Sequence, residues 1–220
     1  MGYFVETKTY TAPPLDKKEI LRYAGCGQPI LAELALMEES LALCRGQLSY
    51  KVCFAHFPVM VMGDRVDFHF FQVESKHLAK NLSGCAEAIV FGATVGLEMD
   101  RLIARYSKLS PAKGLFLQAI GAERIESLCH TFCTDMANCF PRCKLRPRFS
   151  PGYGDLPLAF QMDIFRILDL PRKIGLTLNE SLLMTPSKSV TAIVGLGPDN
   201  GGTEIHSCAA CTKTDCNFRL

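Results

Sequence analysis

The sequence predicts an α+β domain, a mainly antiparallel sheet packed with helices. Short runs rich in β-branched, aromatic and other apolar residues alternate with single stretches of helical periodicity. Two of those runs, 50–62 and 65–73, flank Gly63-Asp64, a turn pair suited to a hairpin. Helices fall singly between strands and hairpins rather than in one block, which suits α+β architecture. In chain order, Leu31, Leu34, Met37, Leu41 and Cys44 recur at helical spacing and predict an early amphipathic helix. Ser75 is placed to cap a short helix that ends near Ser83-Gly84. Residues 88–94 read as a buried strand, followed by a helix from about 97 to 108.

The longest helix should start at Ser110-Pro111, a capping residue followed by proline at the first helical position. It should stop at Pro141. Ile125, Leu128, Cys129, Phe132, Cys133, Met136 and Phe140 give it an apolar stripe at spacings of three and four. A loop over 141–158 leads to a helix at 159–169 with Ile164, Phe165 and Leu168 inward. Strands near 174–180 and 189–196 complete the sheet. Residues 197–203 are a glycine-rich linker, so the predicted division is a domain at 1–196 and a linker with a Cys-rich tail at 197–220.

Composition narrows the class. The 220 residues suffice for one large domain or two small ones, and 21% charged with 48% hydrophobic residues is ordinary for a globular chain. A net charge of +2 argues against a nucleic-acid footprint. The basic run Arg142, Lys144, Arg146, Arg148 reads as a solvated segment or a docking patch. No stretch approaches the ~18 uninterrupted apolar residues of a membrane span, and no secretory signal is visible. The expected location is therefore cytoplasmic, where the 11 cysteines should be reduced or hold metal.

The stretch Arg148-Phe149-Ser150-Pro151-Gly152-Tyr153-Gly154-Asp155-Leu156-Pro157 concentrates binding chemistry. Arg148 can hold a carboxylate through two parallel charge-assisted hydrogen bonds. Pro151, Gly152 and Gly154 let the backbone turn sharply and approach a ligand. Tyr153 adds a flat ring with a polar tip. Such a loop fits a small ligand with a carboxylate at one end and a flat ring at the other; it equally fits a surface turn with an exposed arginine.

Together with Thr177-Leu178-Asn179-Glu180-Ser181, Met184-Thr185-Pro186 and Ser189-Val190, this loop resembles the activation domain of vitamin B12-dependent methionine synthase. That family carries Arg-x-x-x-Gly-Tyr, then Leu-Thr-Glu-Ser, Met-x-Pro and a Ser-Val strand. Ala93-Thr94-Val95-Gly96-Leu97-Glu98-x-Asp100 resembles its Val-Thr-Gly-Gly-Leu-Glu-x-Asp segment. The resemblance covers about residues 88–196, and the motifs come in the same order.

The resemblance implies the same α+β fold and S-adenosylmethionine as ligand, with Arg148 taking its carboxylate. Ser150, Pro151, Gly152 and Tyr153 would offer backbone and ring to the nucleoside. Arg124-Ile125-Glu126-Ser127-Leu128 resembles the family's Arg-Leu-Ala-Glu-Ala-Phe helix with the acid shifted by one. Glu126 is thus either a solvated helix acid or the carboxylate beside the ligand's positive end. The chain departs from the family at two points. The family's strand tyrosine falls on Val194, and its acidic residue near the domain start has no counterpart that aligns.

The chain looks like an activation module detached from its enzyme. Its cobalamin would be carried by a partner methionine synthase or another corrinoid protein, with an electron donor such as a flavodoxin or ferredoxin. The corrinoid-binding pattern Asp-x-His-x-x-Gly has one near-match, Asp67 to Gln72, which lacks the glycine and reads as plain strand through Val66, Phe68 and Phe70. The chain should not synthesise methionine alone. The tail carries Cys208, Cys211 and Cys216 in a C-x2-C-x4-C cluster, three thiolates that could hold zinc or an iron–sulfur cluster. His206, Cys53 or Cys85 are candidates for a fourth ligand; the tail could equally be a run of reduced thiols. Two other functional classes stay open: a redox or metal-binding adaptor delivering electrons to a corrinoid methyltransferase through that tail, and a docking domain that has lost its ligand.

Overall fold

The structure is a computed structural model that describes residues 3–198. The tail cysteines Cys208, Cys211 and Cys216 and most of the linker lie outside the described residues.

Its centre is a five-stranded sheet in the order β1-β2-β6-β10-β7, antiparallel throughout. The strands are β1 (Val5–Tyr10), β2 (Tyr50–Pro58), β6 (Glu87–Thr94), β7 (Lys144–Leu145) and β10 (Ser189–Gly197). Both faces of the three middle strands are covered, so they are apolar without alternation. Val52, Phe54, Ile89, Phe91, Ala192 and Val194 enter one core, and Cys53, Ala55, Phe57, Val90 and Ile193 enter the other. The first core is closed by α1 (Lys17–Tyr23), α2 (Leu31–Cys44), α4 (Leu97–Leu109) and α5 (Pro111–Cys139). The second is closed by α3 (Lys76–Asn81), α6 (Gln161–Leu168), α7 (Leu170–Ile174) and a small sheet of β3 (Met60–Met62), β4 (Arg65–Asp67) and β5 (Gln72–Glu74). A two-stranded ribbon, β8 (Thr177–Leu178) with β9 (Met184–Thr185), precedes β10. No helix among the described residues is long and apolar enough to cross a membrane.

The long helix has the predicted ends, and its stripe is inward. Ile125, Leu128, Cys129, Phe132 and Met136 are buried, with Cys133 and Phe140 packed partly against them. Ser110 occupies the cap position without making a side-chain cap bond; Pro111 at the first position sets the start instead. Ser75 does cap α3, its Oγ accepting the Leu78 N–H at 3.1 Å.

Four local expectations change. The run 50–62 is not one arm of a hairpin. Pro58 has no N–H to donate and ends β2, which belongs to the main sheet. Only β3 and β4 pair across Gly63-Asp64. The stretch after Asp67 is a tight turn rather than a strand: Asp67 Oδ1 accepts the His69 N–H at 2.7 Å and His69 sits at φ 71°. The predicted strand at 174–180 shrinks to β8, because Asp169 and Gly175, both left-handed, bracket the short helix α7. The loop at 141–158 is partly sheet, as described next.

Candidate functional site

Arg148 is aimed by a bulge. Leu145 pairs with Leu196, and Phe149 bridges Ile193 with N–H···O distances of 2.9 and 2.8 Å. Between these pairs the edge segment advances four residues while β10 advances three. The extra residue falls at Pro147-Arg148, since Arg146 N–H still reaches the Gly195 carbonyl at 2.8 Å. Pro147 donates nothing, which an outer edge tolerates. Phe149 packs into the second core, and the bulge turns Arg148 toward α5.

There Arg148 Nη2 donates to Glu126 Oε2 at 2.7 Å. Behind the pair lie Cys129 and Cys133, one helical turn apart. Burial pushes the Cys129 thiol up to about 12 despite the guanidinium, so it stays protonated. Burial works against the Arg148 charge, but the Glu126 carboxylate bonded to it helps to outweigh that cost, and the guanidinium is held more firmly protonated than usual. The Arg148 side chain keeps 31% of its surface open, enough for a ligand to reach.

The pair lies in a cleft of about 490 Å³. One wall is the strap Pro14, Leu15, Asp16; α1 adds Glu19 and Tyr23; α5 adds Glu123, Glu126, Ser127 and His130. Four carboxylates thus line the cleft with one guanidinium, but both oxygens of Glu123 are taken by Arg124. Glu19 is committed to Arg22, at 2.7 Å, and Asp16 Oδ1 caps α1 by accepting the Lys18 and Glu19 N–H groups at 2.9 and 3.2 Å. Tyr23 is half buried and its phenol is raised by burial and then by Glu126. The arrangement suits a small ligand carrying a carboxylate beside positive charge.

The loop after Arg148 is rigidly built but stands apart. Gly152 (φ 88°) and Gly154 (φ 56°) take left-handed conformations, and Gly152 N–H donates to the Leu156 carbonyl at 2.9 Å. Asp155 ties its end to α3, accepting from Ser75 Oγ at 2.5 Å and the Lys76 N–H at 2.8 Å. Pro151 is buried, whereas Tyr153 is 70% exposed beside Phe149.

Of the predicted site residues, the structure brings Glu126 and Arg148 together across the cleft. Ser150, Pro151, Gly152 and Tyr153 form the adjoining turn and do not line it. Val194 is 1% exposed in the first core, so that position offers nothing to a ligand. Sequence reasoning missed Asp16, Glu19, Tyr23, Glu123 and His130. The acid near the domain start that no motif aligned has a spatial candidate in Asp16. No cluster of three or more metal-ligating side chains occurs among the described residues.

No protein-family model and no curated protein matches the chain by sequence. A solved structure does match in shape: the MetH reactivation domain, crystallised bound to AdoHcy. The TM-score is 0.68 at 14% identity, over 91% of this chain and 80% of that one. The chain has the fold of that domain.

Proposed function

We propose that this chain binds S-adenosylmethionine in the cleft at Arg148 and Glu126 and supports reductive remethylation of a cobalamin held by a partner methionine synthase. The observation that carries the reading is the Arg148–Glu126 pair, set in a mostly acidic cleft on this fold. An amino-acid zwitterion can enter such a pair. Its carboxylate takes the guanidinium as a planar fork, and its cationic end faces the carboxylates of Glu126 and Asp16. A ligand with only one of the two charges would leave Arg148 or the acids uncompensated, which costs affinity. That AdoHcy occupies the similar MetH domain agrees with this choice of ligand class.

S-adenosylmethionine would supply the methyl group; the residues of this chain bind and orient it. Tyr23, the tyrosine lining the cleft, would stand in for the ring that Val194 cannot provide. The electron would come from a donor such as a flavodoxin or ferredoxin.

Two measurements test the reading. Calorimetric titration with S-adenosylmethionine should show one site per chain. A methionine synthase stripped of its own activation domain should regain its methylated state faster when this chain, a reductant and S-adenosylmethionine are all present. Absence of saturable binding would overturn the ligand assignment, and equal recovery without the chain would overturn the role.

A further inference from the structure

Glu123 and Arg124 are the most deeply buried ion pair among the described residues, at 3% and 4% exposed. Neighbours one position apart on a helix do not normally face each other. Here Arg124 folds back, Nε donating to Glu123 Oε2 and Nη2 to Oε1, both at 2.5 Å. A buried pair of this kind is weak evidence for stability, since desolvation offsets most of the attraction. Besides its contact with Tyr50, its hydrogen bonds to the backbone show what it holds. Arg124 Nη1 donates to the Pro13 carbonyl at 2.7 Å and Nη2 to the Pro14 carbonyl at 2.6 Å. Glu123 Oε1 accepts the Asp16 N–H at 3.0 Å, and Ser127 Oγ donates to the Pro14 carbonyl at 2.7 Å.

Every one of these bonds lands on the strap that walls the cleft. Two consecutive prolines offer carbonyls but no N–H, so the strap cannot pair as a strand and depends on outside donors. The guanidinium provides them in a fixed plane, and the carboxylate keeps the guanidinium in place. The same helix presents Glu126 one turn further on, so both sides of the cleft are referenced to α5.

We infer that Arg124, held by Glu123, is a positioning residue for the ligand cleft: it docks the Pro13–Asp16 strap onto α5 and so sets the distance from Asp16 to the Arg148–Glu126 pair. The inference rests on the proposed ligand, but part of its test does not. Arg124→Lys keeps the charge yet cannot span two carbonyls and a carboxylate from one ammonium. It should bind S-adenosylmethionine roughly tenfold more weakly while remaining folded. The double variant Glu123→Leu/Arg124→Met replaces the pair with apolar side chains of similar size, a change that often preserves stability. It should unfold near the wild-type temperature and still bind weakly, a split that a purely structural role would not produce. Without any ligand, hydrogen exchange at the Asp16 amide should quicken at least tenfold in both variants.

Wild-type affinity in Arg124→Lys, with unchanged Asp16 exchange, would overturn the inference. If the double variant does not fold, the lysine variant and its exchange decide alone. If the wild type itself fails to bind S-adenosylmethionine, the functional proposal falls, and unchanged exchange at Asp16 would then remove the strap assignment separately.

Discussion

Ser75 Oγ donates to Asp155 Oδ1 at 2.5 Å, joining the end of the Arg148 loop to the N-terminus of α3, 80 residues away in sequence. Ser75 in turn caps α3 through Leu78, so one serine links a helix start to a loop end. The loop is thereby fixed at both of its ends, by the β10 bridge at Phe149 and by this bond.

The Asp155 carboxyl is lowered from 3.8 to about 2, first by the Ser75 bond and then by the His77 and Lys76 N–H groups, against some opposing burial. A depressed folded-state value means its contribution is complete above about pH 4 and is lost as pH falls toward 2. Acid titration of thermal stability should show a fall in that window that Asp155→Asn abolishes. Identical profiles for the two proteins would show that the anchor is idle. The carboxylate is solvent-accessible, so the effect should also shrink in high salt.

The charged partners of Arg148 lead to a sharper expectation. Arg148→Ala should weaken S-adenosylmethionine binding by about 2 kcal/mol, about 30-fold, because the ligand carboxylate loses its cation. Arg148→Lys should recover only part of this, a point charge being unable to reproduce the fork. Glu126→Gln should also weaken binding, by roughly tenfold, if its carboxylate faces the ligand's cationic end. Tighter binding in Glu126→Gln would mean that Glu126 merely blocks Arg148 in the empty cleft. Calorimetry on the three variants separates these cases.

Much of the fold is legible in local pattern. The long helix, the helix at 97–109 and the strands at 87–94 and 189–197 follow from periodicity, a helix-starting proline and unbroken apolar runs. β1 escapes because it is an edge strand with only Val5 and Tyr10 partly covered, so its four middle residues are exposed and show no alternation. The cleft is half legible. Arg148 stands out by its turn-rich surroundings, and Glu126 by its helix motif. Asp16, Glu19 and Tyr23 lie in a stretch with no motif, and the bonds that bring the strap to α5 run between residues more than 100 apart. Local pattern cannot encode such a contact. The bulge at Pro147 has a local trace, a proline just before Arg148, but its register shows only against β10.

Gly92 makes the packing of the second core testable. It sits in the middle of β6, and a Cβ there would lie 2.8 Å from both Cδ atoms of Leu170, a fully buried side chain on α7. Leu170 would have to shift within the packed second core, so Gly92→Ala should cost about 1–3 kcal/mol by overpacking. Denaturant unfolding should show a lower midpoint at unchanged slope. The variant should keep its ligand affinity, since Gly92 lies away from the cleft. A midpoint at or above the wild type would show that α7 is loosely attached.

The tail cysteines carry the last prediction, that Cys208, Cys211 and Cys216 hold one metal centre with Cys85 as fourth ligand. The spacing lets three thiolates converge on one ion within a short loop. His206 and two body cysteines compete for the fourth place, and the structure separates the two cysteines. Cys53 is fully buried in the sheet, donates to the Leu168 carbonyl at 3.4 Å, and is pushed up to about 12 by burial. Cys85 lies beside the end of β10, its Sγ 3.1 Å from where a Cβ would stand on Gly197, the residue from which the tail departs. Its thiol is raised by burial, an effect the Arg146 guanidinium partly opposes. Protein purified without oxygen should carry zinc or iron near one equivalent per chain. Changing Cys208, Cys211 and Cys216 to serine should remove it, Cys85→Ser should weaken retention against a chelator, and Cys53→Ser should not. An iron–sulfur cluster would also absorb visible light and make the tail an electron entry point, whereas zinc would be silent. All of these variants should bind S-adenosylmethionine within about a factor of three of wild type, because neither Cys53 nor Cys85 lines the cleft. Metal-free protein from an anaerobic preparation would dismiss the centre, and equal retention in Cys85→Ser would leave the tail to bind without the body.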